Sequence, residues 1–275
     1  METGGWIVKR IAILMLLALQ WAAAQAAGFD QSAWDSLLKE HVTPLRNGQA
    51  TQVDYAAFAA DRGRLKQYLT SVSAVAPAEF DRWDRSSQLA FLINAYNAFT
   101  VELVLTGYPD IGSIKDLGSF LRSPWKKRFI QLLGETRSLD DIEHGLIRGS
   151  GRYAEPRIHF AVNCASVGCP ALRPEAYVGE RLDAQLEDAT RAFLTDRTRN
   201  RLDGKVLKAS SIFKWYRGDF EKGWRGADSL AGFFVLYRLA LGLDESAANR
   251  LKAGEIGIDF LDYDWRLNAK TARAP

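Results

Sequence analysis

The chain has 275 residues, 47% of them hydrophobic and 25% charged, with a formal net charge of +3 and two cysteines. That length supports one large domain or two small ones with a real core, and the balance excludes a disordered chain, a collagen-like chain and a disulfide-stapled mini-protein. A charge so small and dispersed gives no argument for nucleic acid, and none is expected as a partner.

The first segment reads as an address. Lys9-Arg10 precedes an almost wholly apolar run, Ile11 to Ala24, and Ala24-Gln25-Ala26 is an A-x-A cleavage site. These are the three parts of a secretory signal peptide, cut near Ala26. The run is shorter than the roughly 20 residues that span a bilayer. Residues 27–275 are therefore expected as a single domain, periplasmic or secreted, with no stable membrane anchor after cleavage.

Phe29 to Arg46 carries Trp34, Leu37, Leu38 and Val42 at helical spacing and is closed by Asn47-Gly48. Tyr55 to Val72 repeats the pattern through Phe58, Leu65, Tyr68 and Leu69. Pro77 opens the longest helical run, which continues to Leu105. From Leu89 onward this run is apolar on every side, as a central buried helix would be. Phe129 to Leu133 and Thr136-Arg137 flank Gly134-Glu135 as a hairpin.

Leu139 to Arg148 reads as a short helix with an S-x-x-D capping signal from Ser138 and Asp141. Arg157 to Asn163 alternates like a strand. Leu182 to Phe193 is helical, and a second hairpin turns at Asp203-Gly204. Helices follow at Ser211 to Tyr216 and Ser229 to Leu241, then a strand at Ile256 to Leu261. Helices come early and strands late without βαβ alternation, which predicts an α+β fold: a helix-rich N-terminal half whose central buried helix packs on a small, mainly antiparallel sheet.

The chemistry concentrates in Arg157-Ile-His-Phe-Ala-Val-Asn-Cys-Ala-Ser-Val-Gly-Cys-Pro170. Strand alternation would put Ile158, Phe160 and Val162 on one face, and His159, Ala161 and Asn163 on the other. Cys164 follows in a turn of small residues that includes Ser166. Such a turn can present a thiol to a cleft and supply N–H donors to a thiolate or oxyanion. On the helical wheel of Leu139 to Arg148, Glu143 falls inside the apolar arc, where a carboxylate must be desolvated or paired. His144 falls on the polar side, as a rim residue. Asn94 and Asn97, three apart in the apolar helix, need partners there and either orient a substrate or an imidazole or tie a loop to the core.

Four blocks, Phe91-Leu-Ile-Asn-Ala-Tyr-Asn-Ala98, Ser138-Leu-Asp-Asp-Ile-Glu-His-Gly145, Arg157 to Ser166 with Cys169-Pro170, and Phe260-Leu-Asp-Tyr-Asp-Trp-Arg-Leu-Asn268, lie in one order along the chain. In these the sequence resembles the bacterial and plant family catalogued as domain of unknown function 547, over about residues 87–268. The resemblance implies that the blocks belong to one domain and carries no activity with it.

Three chemistries fit the cluster. In the first, Cys164 is a nucleophile, His159 its base and Glu143 or an asparagine the group orienting the imidazole, with Asn94, Asn97, Asn163 and Ser166 as substrate-binding or orienting residues. In the second, Cys164 and Cys169 form a disulfide, natural in an exported chain, that shapes the turn of a non-catalytic envelope binding module. In the third, His159, Cys164, Cys169 and His144 hold zinc, although C-x4-C is loose spacing for it.

The function expected from these residues is a thiol hydrolase or acyltransferase acting on amide or peptide bonds in the cell envelope, a peptide-like molecule being one candidate substrate. No cofactor and no metal is expected. The basic loop Ser123-Pro-Trp-Lys-Lys-Arg128 reads as a solvated connection. Trp215, Tyr216 and Phe220, near Asp219, could line a groove, and Asp262 or Asp264 is a reserve for orienting a histidine.

Overall fold

The computed structural model describes residues 28–119 and 122–270. The signal peptide expected at 1–26 lies outside the described residues.

The first helix, α1 (Ser32–His41), buries Trp34, Leu37, Leu38 and His41. It is shorter than its sequence pattern. Val42–Leu45 (β1) leaves the helix and pairs antiparallel with Ala50–Val53 (β2). Pro44 cannot donate a helical hydrogen bond. Asn47 and Gly48 both take positive φ, at 56° and 85°, the conformation an Asn-Gly pair favours in a tight reversal.

The second helical stretch is also divided. Tyr55–Ala60 (α2) is capped by the Asp54 carboxylate, which accepts the Ala57 N–H at 3.0 Å, and Arg62–Ala74 (α3) follows. The long run beginning at Pro77 breaks after Pro77–Phe80 (α4). It resumes as Arg85–Leu105 (α5), where Asp84 accepts the Ser87 N–H at 2.9 Å. That side-chain cap satisfies an N–H left over at the start of the helix.

Every residue of α5 from Leu89 to Val101 is buried, so the expected central helix is present. Its main neighbours are the short turn Gly179–Arg181, α2, α3, the wide turn Asp141–Arg148 and Leu182–Thr195 (α6). The strands form three small local sheets. Ile130–Leu132 (β3) pairs antiparallel with Glu135–Arg137 (β4), and Arg201–Asp203 (β5) with Val206–Ser210 (β6). Gly257–Leu261 (β7) adds to β6 in parallel. The result is a single-domain α+β fold with mainly antiparallel pairing.

Two apolar clusters divide the interior. One gathers α1 to α5 with β3 and Ile158; the other gathers Phe193 of α6, Phe213 of Ile212–Trp215 (α7), Phe220 of Arg217–Phe220 (α8) and Phe233 of Leu230–Leu236 (α9). Glu245–Lys252 (α10) closes the second through Leu251. Each buried Phe contributes about 1.5–3 kcal/mol.

The seam between the clusters is Pro156–Phe160, and here the predicted strand is corrected. The segment is a 3-10 helix. Pro156 presets its first turn, and the Glu155 carboxylate accepts the Arg157 N–H at 3.1 Å. Residues 156–163 are all buried, so the apolar pattern had two cores to satisfy, not one face of a sheet. Ile158 enters the first cluster and Phe160 the second. In a 3-10 helix residues i and i+3 share a face, so the period-2 alternation that would pair His159 with Asn163 on one face does not hold here.

Candidate active site

A cleft of about 200 Å³ opens along this seam, lined by His159, Val162, Cys164, Cys169, Glu143, His144, Tyr96, Tyr216 and Tyr263, with Trp125, Trp215 and Trp265 toward its mouth.

One wall carries the thiol. Ala165, directly after Cys164, has a φ of +62°, a strained left-handed conformation of the kind that concentrates at functional sites. The turn is held from several sides. Asn163 donates to the Pro170 carbonyl at 2.7 Å and accepts the Ala165 N–H at 2.9 Å. Asn97 donates to the Ala161 carbonyl at 3.0 Å and accepts the Asn163 N–H at 2.8 Å. The Arg199 guanidinium donates to the carbonyls of Cys169 and Val167 at 2.6 and 2.7 Å.

The C-terminal segment is laced along the same turn. Val167 and Gly168 donate to the carbonyls of Arg266 and Asp264, and Asn268 to that of Ala165. A Cβ on Gly168 would stand 3.0 Å from the Asp264 nitrogen and from the Tyr263 ring. Glycine is therefore what lets Tyr263 approach the sulfur.

Cys164 Sγ lies 3.1 Å from the Tyr263 hydroxyl and 3.2 Å from the Ser166 hydroxyl. Hydrogen bonding from Cys169 outweighs burial and, with Ser166 and Tyr263, pulls the Cys164 thiol down to about 7. Burial and the neighbouring Cys164 charge push Cys169 the other way. The pair thus holds one reactive thiol, half-buried at the cleft, and one inert buried thiol.

The other wall carries the imidazole. His159 Nε2 lies 2.9 Å from Asp219 Oδ2. An ionised carboxylate only accepts, so this bond assigns the proton to Nε2 and leaves Nδ1 with its lone pair. Nδ1 is buried and has no hydrogen-bond partner. Burial, against the pull of Asp219, lowers His159 below its ordinary value, so the ring is neutral at pH 7. It stacks on Tyr216 with centroids 3.9 Å apart. Burial alone would raise Asp219, but hydrogen bonds from His159, Arg148 and Lys222 outweigh it and hold the carboxyl well below the usual range.

Glu143 comes from Asp141–Arg148, which is a π-helix, not an α-helix. Single π turns recur at functional sites. The expected Ser138–Asp141 exchange caps it: Ser138 N–H donates to the Asp141 carboxylate at 2.8 Å and Asp141 N–H to the Ser138 hydroxyl at 3.1 Å. Ile142 and Ile147, five apart, are buried, and Glu143 is buried with them. Its Oε1 has no hydrogen-bond partner.

The expected roles are therefore partly redistributed. Cys164, His159, Glu143 and the rim residue His144 share the cleft, but Asp219, not Glu143, orients the imidazole. No hydrogen bond joins Cys164 to His159. Ser166 touches the sulfur. Asn97 and Asn163 brace the turn, while Asn94 is tied to the backbone of Tyr177 at 2.7 and 3.0 Å; these three amides are spent on structure. Cys164 and Cys169 are free thiols, with the Cys164 N–H donating to Cys169 Sγ at 2.8 Å. Among the described residues, the cleft's cysteines and histidines do not converge into a three-ligand metal set; the grouping that does is Glu40, His41 and Asp61, already tied together by ion pairs with Arg64 and within itself.

Reasoning from sequence missed Asp219 as the imidazole's partner and gave Tyr263 no chemical role beyond its place in the fourth block. Asp219 is 60 residues from His159, in a four-residue helix without a local signature. For Tyr263 a signal existed: its block is one of the four, and it is rich in aromatic residues.

Fold and site together define an α+β protein with a thiol and an imidazole facing one cleft. Residues 80–194 match the family described as protein of unknown function, DUF547. The matched stretch holds Glu143, His159, Cys164 and Cys169; Asp219 and Tyr263 lie beyond it. No curated protein and no solved structure matches the chain.

Proposed function

We propose that the cleft is a thiol-dependent acyl-transfer site, hydrolase or acyltransferase, acting on amide or peptide bonds. One observation carries the reading. A thiol lowered to about 7 lines the same cleft as an imidazole whose Nε2 is fixed by a carboxylate and whose buried Nδ1 has no hydrogen-bond partner. Those are the parts of an activated nucleophile, a base and its orienting group.

In this scheme His159 Nδ1 accepts the Cys164 proton as sulfur bonds to the carbonyl carbon. Collapse of the adduct breaks the C–N bond, and the proton passes to the leaving nitrogen. A thioester remains on Cys164. Water, or an acceptor amine or alcohol, then loses a proton to His159 and attacks the thioester. The C–S bond breaks and the proton returns to sulfur. The Tyr263 hydroxyl stands beside the reacting sulfur, where it donates to the thiolate, and the Ser166 hydroxyl, also beside the sulfur, donates to the Tyr263 oxygen at 3.0 Å. Catalytic hydrogen bonds often tighten only around substrate, so an unjoined Cys164 and His159 across one cleft are compatible with the scheme. The reading includes export through the 1–26 signal and a substrate in the cell envelope.

The contact between Cys164 and Cys169 favours one second reading, a non-catalytic binding module whose turn is closed by a bridge between them. A screen of amide, ester and peptide substrates under reducing conditions, wild type against Cys164→Ala, separates the two. Turnover or covalent trapping that the variant loses supports the enzyme. Turnover equal in both removes the nucleophile from the scheme.

A further inference from the structure

The mouth of the cleft carries a charge pattern that neither the fold nor the scheme above requires. Between residues 115 and 128 the chain holds Lys115, Arg122, Lys126, Lys127 and Arg128 against one acid, Asp116. Asp116 is already engaged, accepting the N–H groups of Gly112 and Ser113 at 2.9 Å each. All five cations are exposed, and none forms an ion pair with a carboxylate among the described residues. Several arginines elsewhere are paired, as in Arg62–Glu102, Arg64–Glu40, Arg157–Glu155 and Arg266–Asp264; others, such as Arg82 and Arg238, form no ion pair among the described residues.

Two of the five bear directly on the cleft. The Lys115 ammonium sits 3.6 Å from the centroid of the Trp265 ring, and Trp265 lines the cleft. Lys126 follows Trp125, whose ring meets Trp265 edge-on at 5.8 Å, and it acts electrostatically on Asp140, another lining residue. The short turns Ile114–Leu117 and Pro124–Lys126 that carry them pack on each other. Within the cleft the sign reverses: Glu143 is buried in its floor with Oε1 lacking a partner, and the half-buried Asp140 lines the same cleft. An acidic floor favours N–H donors, and a cationic aromatic lip favours an anion beside a flat or apolar group.

We infer that Lys115 and Lys126, with Trp125 and Trp265, form a carboxylate-recognising subsite at the mouth of the Cys164 cleft. The inference rests on the acyl-transfer reading and names its substrate class: an amide whose N–H groups meet the floor and whose free carboxylate is held at the lip. The Trp125 and Trp265 rings are half-buried and line the cleft, which favours a substrate over a lipid surface.

The test uses two alkylating reagents with one electrophilic carbon, iodoacetate and iodoacetamide, on the reduced protein, with modification at Cys164 located by mass spectrometry. The ratio of their rates, compared with that of a small free thiol, isolates the preference for a carboxylate. The subsite predicts a ratio raised by about tenfold in wild type, within the range of electrostatic focusing in clefts, and reduced at high salt. The ratio should fall to near that of the free thiol in Lys115→Gln/Lys126→Gln and return in Lys115→Arg/Lys126→Arg. Equal ratios in wild type and the Gln variant would overturn the inference while leaving the reactive thiol in place. A Cys164 that reacts with neither reagent would overturn the acyl-transfer reading, and the subsite with it. Binding to vesicles rich in anionic lipid that the Gln variant loses, with the reagent ratio unchanged, would make the lip a membrane-facing surface and overturn the substrate role. Protection of Cys164 by phenyl phosphate but not by acetyl-dialanine would replace carboxylate with phosphate.

Discussion

The two walls of the cleft are tuned by different physics. On the thiol wall, uncharged donors surround the sulfur: the Cys169 thiol and the hydroxyls of Ser166 and Tyr263 stabilise its ionised form against burial. On the imidazole wall, burial keeps His159 neutral, and a charged network of Asp219, Arg148 and Lys222 fixes which nitrogen carries the proton. The difference teaches a division of labour. The sulfur is prepared to lose a proton near neutral pH, and the imidazole is prepared to receive one at a nitrogen that nothing else occupies. Each wall should therefore fail in its own way when its supports are removed.

The largest expected effect is at the sulfur itself. Cys164→Ala should reduce any acyl transfer to background, a loss on the order of 10⁴-fold or more for removal of a nucleophile, measured on whichever substrate the screen finds. Residual turnover within tenfold of wild type would erase the distinction between the walls. Next comes Asp219→Asn, which removes the anion that fixes the imidazole tautomer. Turnover should fall by about 10³–10⁴-fold, by analogy with the orienting aspartate of a serine triad, while iodoacetamide still modifies Cys164 at near the wild-type rate. The same variant should lose about 1.5–3 kcal/mol of stability in urea, the worth of hydrogen bonds to a charged group. If alkylation collapses along with turnover, the two walls are not separable.

Tyr263→Phe acts on the thiol wall alone. Losing one hydrogen bond to the thiolate, worth about 1.5–3 kcal/mol, at 1.36 kcal/mol for each tenfold change in ionisation, should move the midpoint of Cys164 alkylation upward by about one to two pH units. An unmoved midpoint would remove Tyr263 from the sulfur's support. The smallest effect on chemistry is expected at Asn94→Ala. Its two bonds to Tyr177 lie away from both walls, so unfolding should cost about 1–3 kcal/mol less with the alkylation midpoint unchanged.

Local signals made one wall legible and hid the other. The Cys164 turn stands out in the sequence because small residues and two cysteines gather within a few positions. Glu143 stood out because a carboxylate fell among apolar residues at helical spacing, and it is buried even though the helix winds as π. His159 was placed near the thiol for the wrong reason. An alternating stretch buried on all sides fits a 3-10 turn between two cores as well as it fits a strand, and Pro156 with the Glu155 cap decides between them. The helical spacing of Trp34, Leu37, Leu38 and Val42 extends a helix to Arg46 with Asn47-Gly48 as its close, whereas the helix ends at His41 and that pair turns a hairpin. Asp219 carries no such signal, because its partnership with His159 exists only once the second aromatic core, with Phe213, Phe220 and Phe233, has folded.

The most direct test of the account is the pH dependence of iodoacetamide modification of the reduced protein, resolved to Cys164 and Cys169 by mass spectrometry. A thiol lowered to about 7 is already substantially ionised at neutral pH. Its rate should climb through a midpoint near 7 and level off above it, with Cys169 unmodified throughout. A Cys164 midpoint at or above about 8.5, the value of an ordinary thiol, or preferential modification of Cys169, would contradict it.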